Sequence, residues 1–341
     1  TRQPGSSFKP IISYGCGVEK GIINAGTVYY NSATTFGKNY EPKSTSTYAG
    51  PCTVRNAIEV SSNVVSCKIM SEIGPDNAID FARKAGITSL VKSNENSKTN
   101  DSNLSLALGG LTHGVTTLQM AAAYATLANK GVYIEPTFYT KLTDSDGKTI
   151  LEPKQETRRV ISEANAYIIS DILTDVVTGY SGTAGACAIS GMDVACKTGT
   201  TDNDTNVWLC GYTPYYAGAT WYGFDENETI EYNKRNPAGL LWANVMSKIH
   251  AGLKNANFEK PSTISTCNIC AETGKIATTE CTNVYTEYYL QNTIPDLCDK
   301  HSGTELKKNT TTKTQNENGT VEEITKDIDA IDPQQIETNV Q

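Results

Sequence analysis

The 341-residue sequence has no apolar run approaching the ~18 residues of a membrane-spanning helix, so it contains no span of that kind. It also lacks any cluster of Lys and Arg, and its net charge is −8, which excludes a nucleic-acid-binding surface. Histidine is scarce: the three, His113, His250 and His301, lie far apart, and nothing pairs one with a catalytic Asp. No aromatic residue follows Tyr289. From Glu305 onward Thr, Asn, Gln, Glu and Lys dominate. Such a segment cannot bury enough apolar surface to offset the entropy of ordering it, so residues 304–341 are expected to be a disordered tail. The chain starts with Thr1 and shows no signal peptide, and is read as a fragment.

What is present supports a folded body. The apolar fraction is 38%, enough for a sizeable core in one large domain with an appendage. Leu118 to Asn129 carries the clearest helical pattern, stopped by Lys130-Gly131. Further helices are expected from Val54 towards Ser61, over Glu163 to Val177, and over Pro237 to Ala251. Asp144 to Lys148 reads as a hairpin turn. Val194–Lys197, Val207–Gly211 and Ala217–Phe224 read as successive antiparallel strands. Residues 21–52 and 92–103 read as loops. The order of elements points to an α/β (α+β) layered fold.

Three Ser-x-x-Lys tetrads occur, at Ser6/Lys9, Ser89/Lys92 and Ser145/Lys148. Only the first precedes both the sole Ser-x-Asn, Ser61-Ser62-Asn63, and the sole Lys-Thr-Gly, Lys197-Thr198-Gly199. That ordered trio suits acyl transfer through serine. A hydroxyl is a poor nucleophile until a neighbour takes its proton. Lys9 stands one helical turn from Ser6, and acts as that base once burial and nearby cations lower its pKa. Lys197 supplies such a cation and attracts a substrate carboxylate. Ser61 offers a hydroxyl that relays a proton to a leaving amine, and Asn63 an amide to hold a peptide carbonyl. Gly199 lets strand backbone approach a ligand. The N–H groups of Ser6 and Thr200 form the natural oxyanion-hole pair. Taken singly, each residue has a plainer role: Ser6 a helix cap, Ser61 and Asn63 turn residues, Lys197 a solvated strand charge.

The trio and its flanks resemble class A penicillin-binding proteins over roughly residues 1–303. Arg2 to Pro10 is similar to that family's nucleophile segment. Tyr40-Glu41-Pro42-Lys43, Tyr48-Ala49-Gly50 and Arg55-Asn56-Ala57 resemble its run into the Ser-x-Asn loop. Leu106 to Gly110 and Leu118 to Ala125 resemble its central helix, and Lys197 to Thr201 with Gly211 to Pro214 its paired strands. The resemblance implies a penicillin-binding-protein/β-lactamase-like transpeptidase fold, with an antiparallel sheet packed between helices. It implies a transpeptidase domain over 1–258, N-terminally truncated, and a small Cys-containing module over 259–303. The family's first strands, membrane anchor and glycosyltransferase domain find no counterpart in this sequence.

The activity so implied is peptidoglycan D,D-transpeptidation through an acyl-enzyme on Ser6, with no cofactor and no metal. Thr198, Gly199, Thr200 and Thr201 would bind substrate. The expected partners are stem peptides ending in D-Ala-D-Ala, an acceptor amine and β-lactams, at the outer face of a Gram-positive membrane. A D,D-carboxypeptidase would use the same Ser6 with water as acceptor. A class A β-lactamase places Asp where Ser62 stands. From another class, a β-lactam sensor would carry signalling helices, and a non-catalytic cell-wall binder would have lost Ser6, Lys9 or Lys197. Two departures from the family are Cys196, where Gly is usual, and Asn206-Val207-Trp208 in place of Asp-Ala-Trp.

Ten cysteines remain to be explained. The scattered ones read as small buried hydrophobes. Cys267-x-x-Cys270, Cys281 and Cys298-x-x-His301 admit zinc, but with loose spacing. Disulfides among Cys270, Cys281 and Cys298, or with Cys267, are the reading adopted.

Overall fold

The computed structural model describes residues 1–43, 50–233, 235–304, 308–315 and 321–328. The chain opens in a continuous helical segment: a 3-10 turn Gly5–Phe8, a π-helical stretch Pro10–Gly15 and α1 (Cys16–Glu19). Two short strands follow inside the expected 21–52 loop, β1 (Val28–Asn31) and β2 (Gly50–Thr53), paired antiparallel from Val28↔Thr53 to Asn31↔Gly50. Then come α2 (Val54–Glu59), α3 (Asn63–Ile73) and α4 (Pro75–Lys84). Thr53 caps α2 by accepting from the Asn56 amide, and Ser62 caps α3 by accepting from that of Val65. The sequence reading missed α4, which Pro75 starts at its first position and which buries Ala78, Ile79, Phe81 and Ala82.

α5 (Thr117–Ala128) begins with a reciprocal capping box between Thr116 and Gln119, two orphan donors satisfied at once. Four short strands follow: β3 (Val132–Ile134), β4 (Leu142–Thr143), β5 (Thr149–Leu151) and β6 (Thr157–Arg159). β4 and β5 flank the expected Asp144–Lys148 turn, and β3 pairs β6. α6 (Glu163–Thr178) leads to β7 (Ala195–Thr200), β8 (Asn206–Tyr212) and β9 (Ala217–Gly223), an antiparallel sheet in that order. α7 (Pro237–Ile249) closes the domain.

Alternation along β8 sends its wholly buried side chains to two faces. Tyr212 meets Tyr124 of α5 and shares a hydrogen bond with Ser170 of α6. On the other face α7 lies against β9: the Trp242 indole donates to the Gly218 carbonyl, and the Thr220 hydroxyl to that of Ala238. The sheet is therefore packed between helices, as the family resemblance implied. Cys196 sits opposite Gly211, where a Cβ would stand 2.5 Å from that of Cys196. The unusual cysteine is accommodated by the glycine across the ladder.

Beyond α7, β10 (Ile264–Cys270) and β11 (Val284–Leu290) form an antiparallel hairpin with its own small apolar clusters. None of the ten cysteines is in a disulfide, which corrects the expectation of bridges. The sulfurs of Cys270, Cys281 and Cys298 turn instead towards one imidazole, that of His301. Within the stretch expected to be disordered, β12 (Lys308–Gln315) and β13 (Val321–Ile328) pair antiparallel from Lys308↔Ile328 to Gln315↔Val321. The other residues of that tail beyond Thr304 lie outside those described.

Candidate active site

The nucleophile segment is anchored before it turns. Arg2 pairs its backbone with Val115, and the Gln3 amide exchanges bonds of 2.6 and 2.7 Å with Leu111. The Trp208 indole donates to the Gln3 carbonyl at 2.8 Å, and the Tyr124 hydroxyl to that of Ser7 at 2.6 Å. Gly5 then takes φ of +54°, and a Cβ there would lie 2.6 Å from the Thr200 carbonyl. Gly199 is equally constrained, its missing Cβ pointing 2.3 Å from the Pro4 carbonyl. The close approach expected of Gly199 towards a ligand is thus made by the chain's own nucleophile segment. No side chain caps the Gly5–Phe8 turn, so Ser6 is not held as a helix cap. Ser6 is half-buried, whereas Phe8 and Lys9 are wholly buried.

Two lysines converge on one serine. Lys9 Nζ donates to the Ser61 carbonyl at 2.7 Å, to Asn63 Oδ1 at 2.6 Å and more weakly to Ser61 Oγ at 3.3 Å. Lys197 Nζ donates to the same Ser61 Oγ at 2.9 Å. Ser61 holds this place with φ of +59°, a left-handed conformation that a non-glycine residue keeps only when its surroundings impose it. Backbone bonds from Ser61 to Ile58 and from Ser62 to Ala57 fix the bend between α2 and α3, and the Ser62 hydroxyl donates to Asn31 of β1. The Asn63 amide nitrogen donates to the Lys43 carbonyl at 2.7 Å, the kind of acceptor a bound peptide would offer.

Burial with no carboxylate partner among the described residues disfavours both ammonium forms. It drives the Lys9 amine well below the ordinary lysine range, with the Lys197 charge adding to the effect. It brings Lys197 down to about 8. Lys9 is thus moved towards the neutral form that can accept a proton, beside a Lys197 that stays charged below about 8.

The remaining candidates sit along β7 with unequal freedom. The Thr198 hydroxyl bonds that of Thr183 at 3.0 Å. Thr200 is exposed at the strand end. Thr201 meets Thr205 and accepts from the Asn206 amide, so its hydroxyl builds the turn into β8. Asn206 accepts from the Trp221 indole, giving the second sequence departure a packing role. The competing tetrads lie elsewhere: the Ser89 hydroxyl donates to the Gly114 carbonyl, Lys92 pairs with Asp80, and Ser145 sits in the β4–β5 turn. His250 is buried between Thr213 and the Met246 carbonyl.

Sequence reading missed the support beneath this site. Arg55 of α2 makes a forked contact with Glu287 of β11 at 2.5 and 2.6 Å and reaches Asp171 and Asp175 of α6. Glu287 is fully buried. The helical placement of Arg55 and its family-like flank were visible, but its partners were not, because they are 116 to 232 positions away.

The chain is similar to known proteins. Residues 1–247 match the family described as the penicillin binding protein transpeptidase domain, and residues 260–303 match the penicillin-binding protein 1A C-terminal domain. Penicillin-binding protein 1A of Clostridium tetani is 33% identical over 89% of this chain and 40% of its own length. That of Clostridium botulinum is 35% identical over 86% of this chain and 36% of its own. The chain thus spans well under half the length of these curated relatives. The crystal structure of penicillin-binding protein 1A from Haemophilus influenzae shares the fold, with a TM-score of 0.74 at 24% identity over 89% of this chain and 49% of that one. PonA1 of Mycobacterium tuberculosis, solved in complex with penicillin V, gives 0.65 at 26% identity over 76% of this chain and 72% of that one.

Proposed function

The chain belongs to the penicillin-binding protein transpeptidase family, and from that premise we propose that it is a peptidoglycan D,D-transpeptidase working through an acyl-enzyme on Ser6. The observation that carries the reading is the pair of buried lysines sharing Ser61 Oγ, on the segment that bears Ser6 and on the strand that faces it.

A neutral Lys9 takes the Ser6 proton as Oγ attacks the carbonyl of the penultimate D-Ala. The Ser6 and Thr200 amides receive the developing oxyanion. Charged Lys197, with Thr198, Gly199 and Thr200, receives the terminal carboxylate. The proton passes through Ser61 to the departing D-Ala amine, and an amine of a neighbouring strand then takes the acyl group. Asn63 holds the donor peptide, displacing the Lys43 carbonyl. A β-lactam enters the same path because its ring amide and carboxylate imitate the peptide terminus. Cross-linking acts on assembled peptidoglycan, which supports a site of reaction outside the cytoplasmic membrane. Among the described residues no helix is long and apolar enough to cross one.

The test is to label the protein with a penicillin, map the adduct, and supply a D-Ala-D-Ala peptide with and without an acceptor amine. The adduct is expected on Ser6, with D-Ala release and an amide-linked product. An adduct on another serine overturns the site, and hydrolysis alone in the presence of amine overturns the transpeptidase reading in favour of a carboxypeptidase.

The lysine pair also sets the pH dependence. Lys9 must be neutral to accept a proton, so acylation rises with pH through its lowered titration. Lys197 must be charged, so acylation falls as pH passes about 8. Because the two groups interact, both limbs belong to the pair. Lys197→Met removes a charge that helps to keep Lys9 neutral and should move the acid limb to higher pH. An acid limb that stays in place, measured by time-resolved labelling across the pH range, rules out this coupling.

A further inference from the structure

The C-terminal module gathers four donor atoms that the acyl-transfer chemistry does not use. Cys270 ends β10, Cys281 lies in the connection to β11, and Cys298 and His301 follow the last strand of the hairpin. Their sulfurs stand 3.6, 3.5 and 3.5 Å from a single nitrogen, His301 Nδ1. All four donor atoms lie within 4.8 Å of one another. With Zn–S near 2.3 Å and Zn–N near 2.05 Å, the sulfur–nitrogen edge of a tetrahedron about zinc is about 3.6 Å. A disulfide joins two sulfurs at about 2.0 Å and would leave the third thiol and the imidazole unused.

The surroundings suit thiolates. The Thr278 amide donates to Cys281 Sγ at 3.3 Å with its hydroxyl 3.4 Å away, and the Thr273 hydroxyl donates to Cys298 Sγ at 3.4 Å. Glu272 Oε2 lies 3.9 Å from His301 Nε2, on the side of the ring away from the sulfurs, where a carboxylate orients a ligating imidazole. The chain turns tightly after Cys270, with the Gly274 amide donating back to the Cys270 carbonyl at 2.8 Å. Residues 260–303 also contain little core of their own: Cys267, Ile269 and Tyr289 in one cluster, and Cys270, Ala277 and Cys298 in another. A module that small ordinarily needs bridges or a metal to hold its shape, and no disulfide is formed.

We propose that Cys270, Cys281, Cys298 and His301 bind one Zn²⁺ in a closed, four-coordinate structural site. Four protein ligands complete the tetrahedron and leave no position for a reacting water, so the ion's role is to fasten β10, β11 and the last loop together. The hairpin so fixed is the one that presents Glu287 to Arg55.

The test uses the whole chain purified under reducing conditions. Elemental analysis should find one zinc per chain, removable by a chelator and restored by Zn²⁺ alone. Exchange with Co²⁺ should give the visible d–d bands of a tetrahedral site and thiolate-to-metal charge transfer in the near ultraviolet. Cys298→Ser and His301→Ala should lose stoichiometric zinc, whereas Cys267→Ser, whose sulfur is not among the four donors, should keep it. The cobalt spectrum of the unaltered chain decides the matter even where a variant fails to fold. Reduced protein that takes up no Zn²⁺, stoichiometric iron in its place, or a bridge between any two of Cys270, Cys281 and Cys298 in the isolated protein overturns the proposal.

Discussion

Ser6→Ala should abolish covalent labelling by a penicillin, and Lys9→Ala should slow it by about 10²–10⁴-fold, the usual worth of a positioned general base. The first loss is complete because the bond that forms is to Ser6 Oγ, and the other hydroxyl on this turn, that of Ser7, is buried and donates to the Pro4 carbonyl. The second is partial, since the oxyanion donors and Lys197 remain. Lys9→Arg should be nearly as slow: a guanidinium keeps the positive charge but does not release its proton at any working pH. Ser89→Ala and Ser145→Ala should label at the parent rate, because their hydroxyls lie in an unrelated loop contact and an exposed turn. Retained labelling in Ser6→Ala, or a Lys9→Arg rate equal to that of the parent, would falsify the assignment of nucleophile and base.

Arg55→Leu should destabilise the folded chain by about 3–5 kcal/mol, the cost of leaving a buried charge without its partner. Glu287 is fully buried and receives two bonds from Arg55 beside one from the Tyr288 amide, while Asp171 and Asp175 share the same guanidinium. Burial and the neighbouring carboxylates already push the Asp171 carboxyl up against the pull of Arg55. Removing the arginine leaves three acidic groups facing one another. Glu287→Leu in the Arg55→Leu background should recover part of the loss, because it removes the buried charge rather than the pair. Denaturant unfolding of the two variants measures both quantities. A change of only about 0.5 kcal/mol in Arg55→Leu, typical of a surface substitution, would show that the cluster is well solvated and carries no such role. Labelling should slow as well, since α2 carries Arg55 on its way to the bend at Ser61.

Much of this protein was readable before its structure, where the information was local. The helix from Leu118 with its Lys130-Gly131 stop, the Asp144–Lys148 turn and the strand runs of β7 to β9 are decided within a few residues by backbone donors and side-chain direction. The order of the three motifs singled out Ser6, Lys9, Ser61, Asn63 and Lys197 as a group. The fold decided how they meet. One-turn spacing set Lys9 beside Ser6, but that its amine is held by Ser61 and Asn63, some fifty positions away, is decided by the fold. The left-handed backbone at Ser61 and the glycine contacts that press Pro4 and Gly5 onto β7 depend on neighbours from distant segments. The same is true of Arg55 with Glu287, and of the three sulfurs around His301 Nδ1. The spacing of Cys270, Cys281, Cys298 and His301 is too loose to announce a common site, and it becomes one because β10, β11 and the final loop bring their ends together. Short-range hydrogen bonding and periodicity are written in consecutive residues; which buried charge finds which partner is settled only when packing has excluded water from around them both.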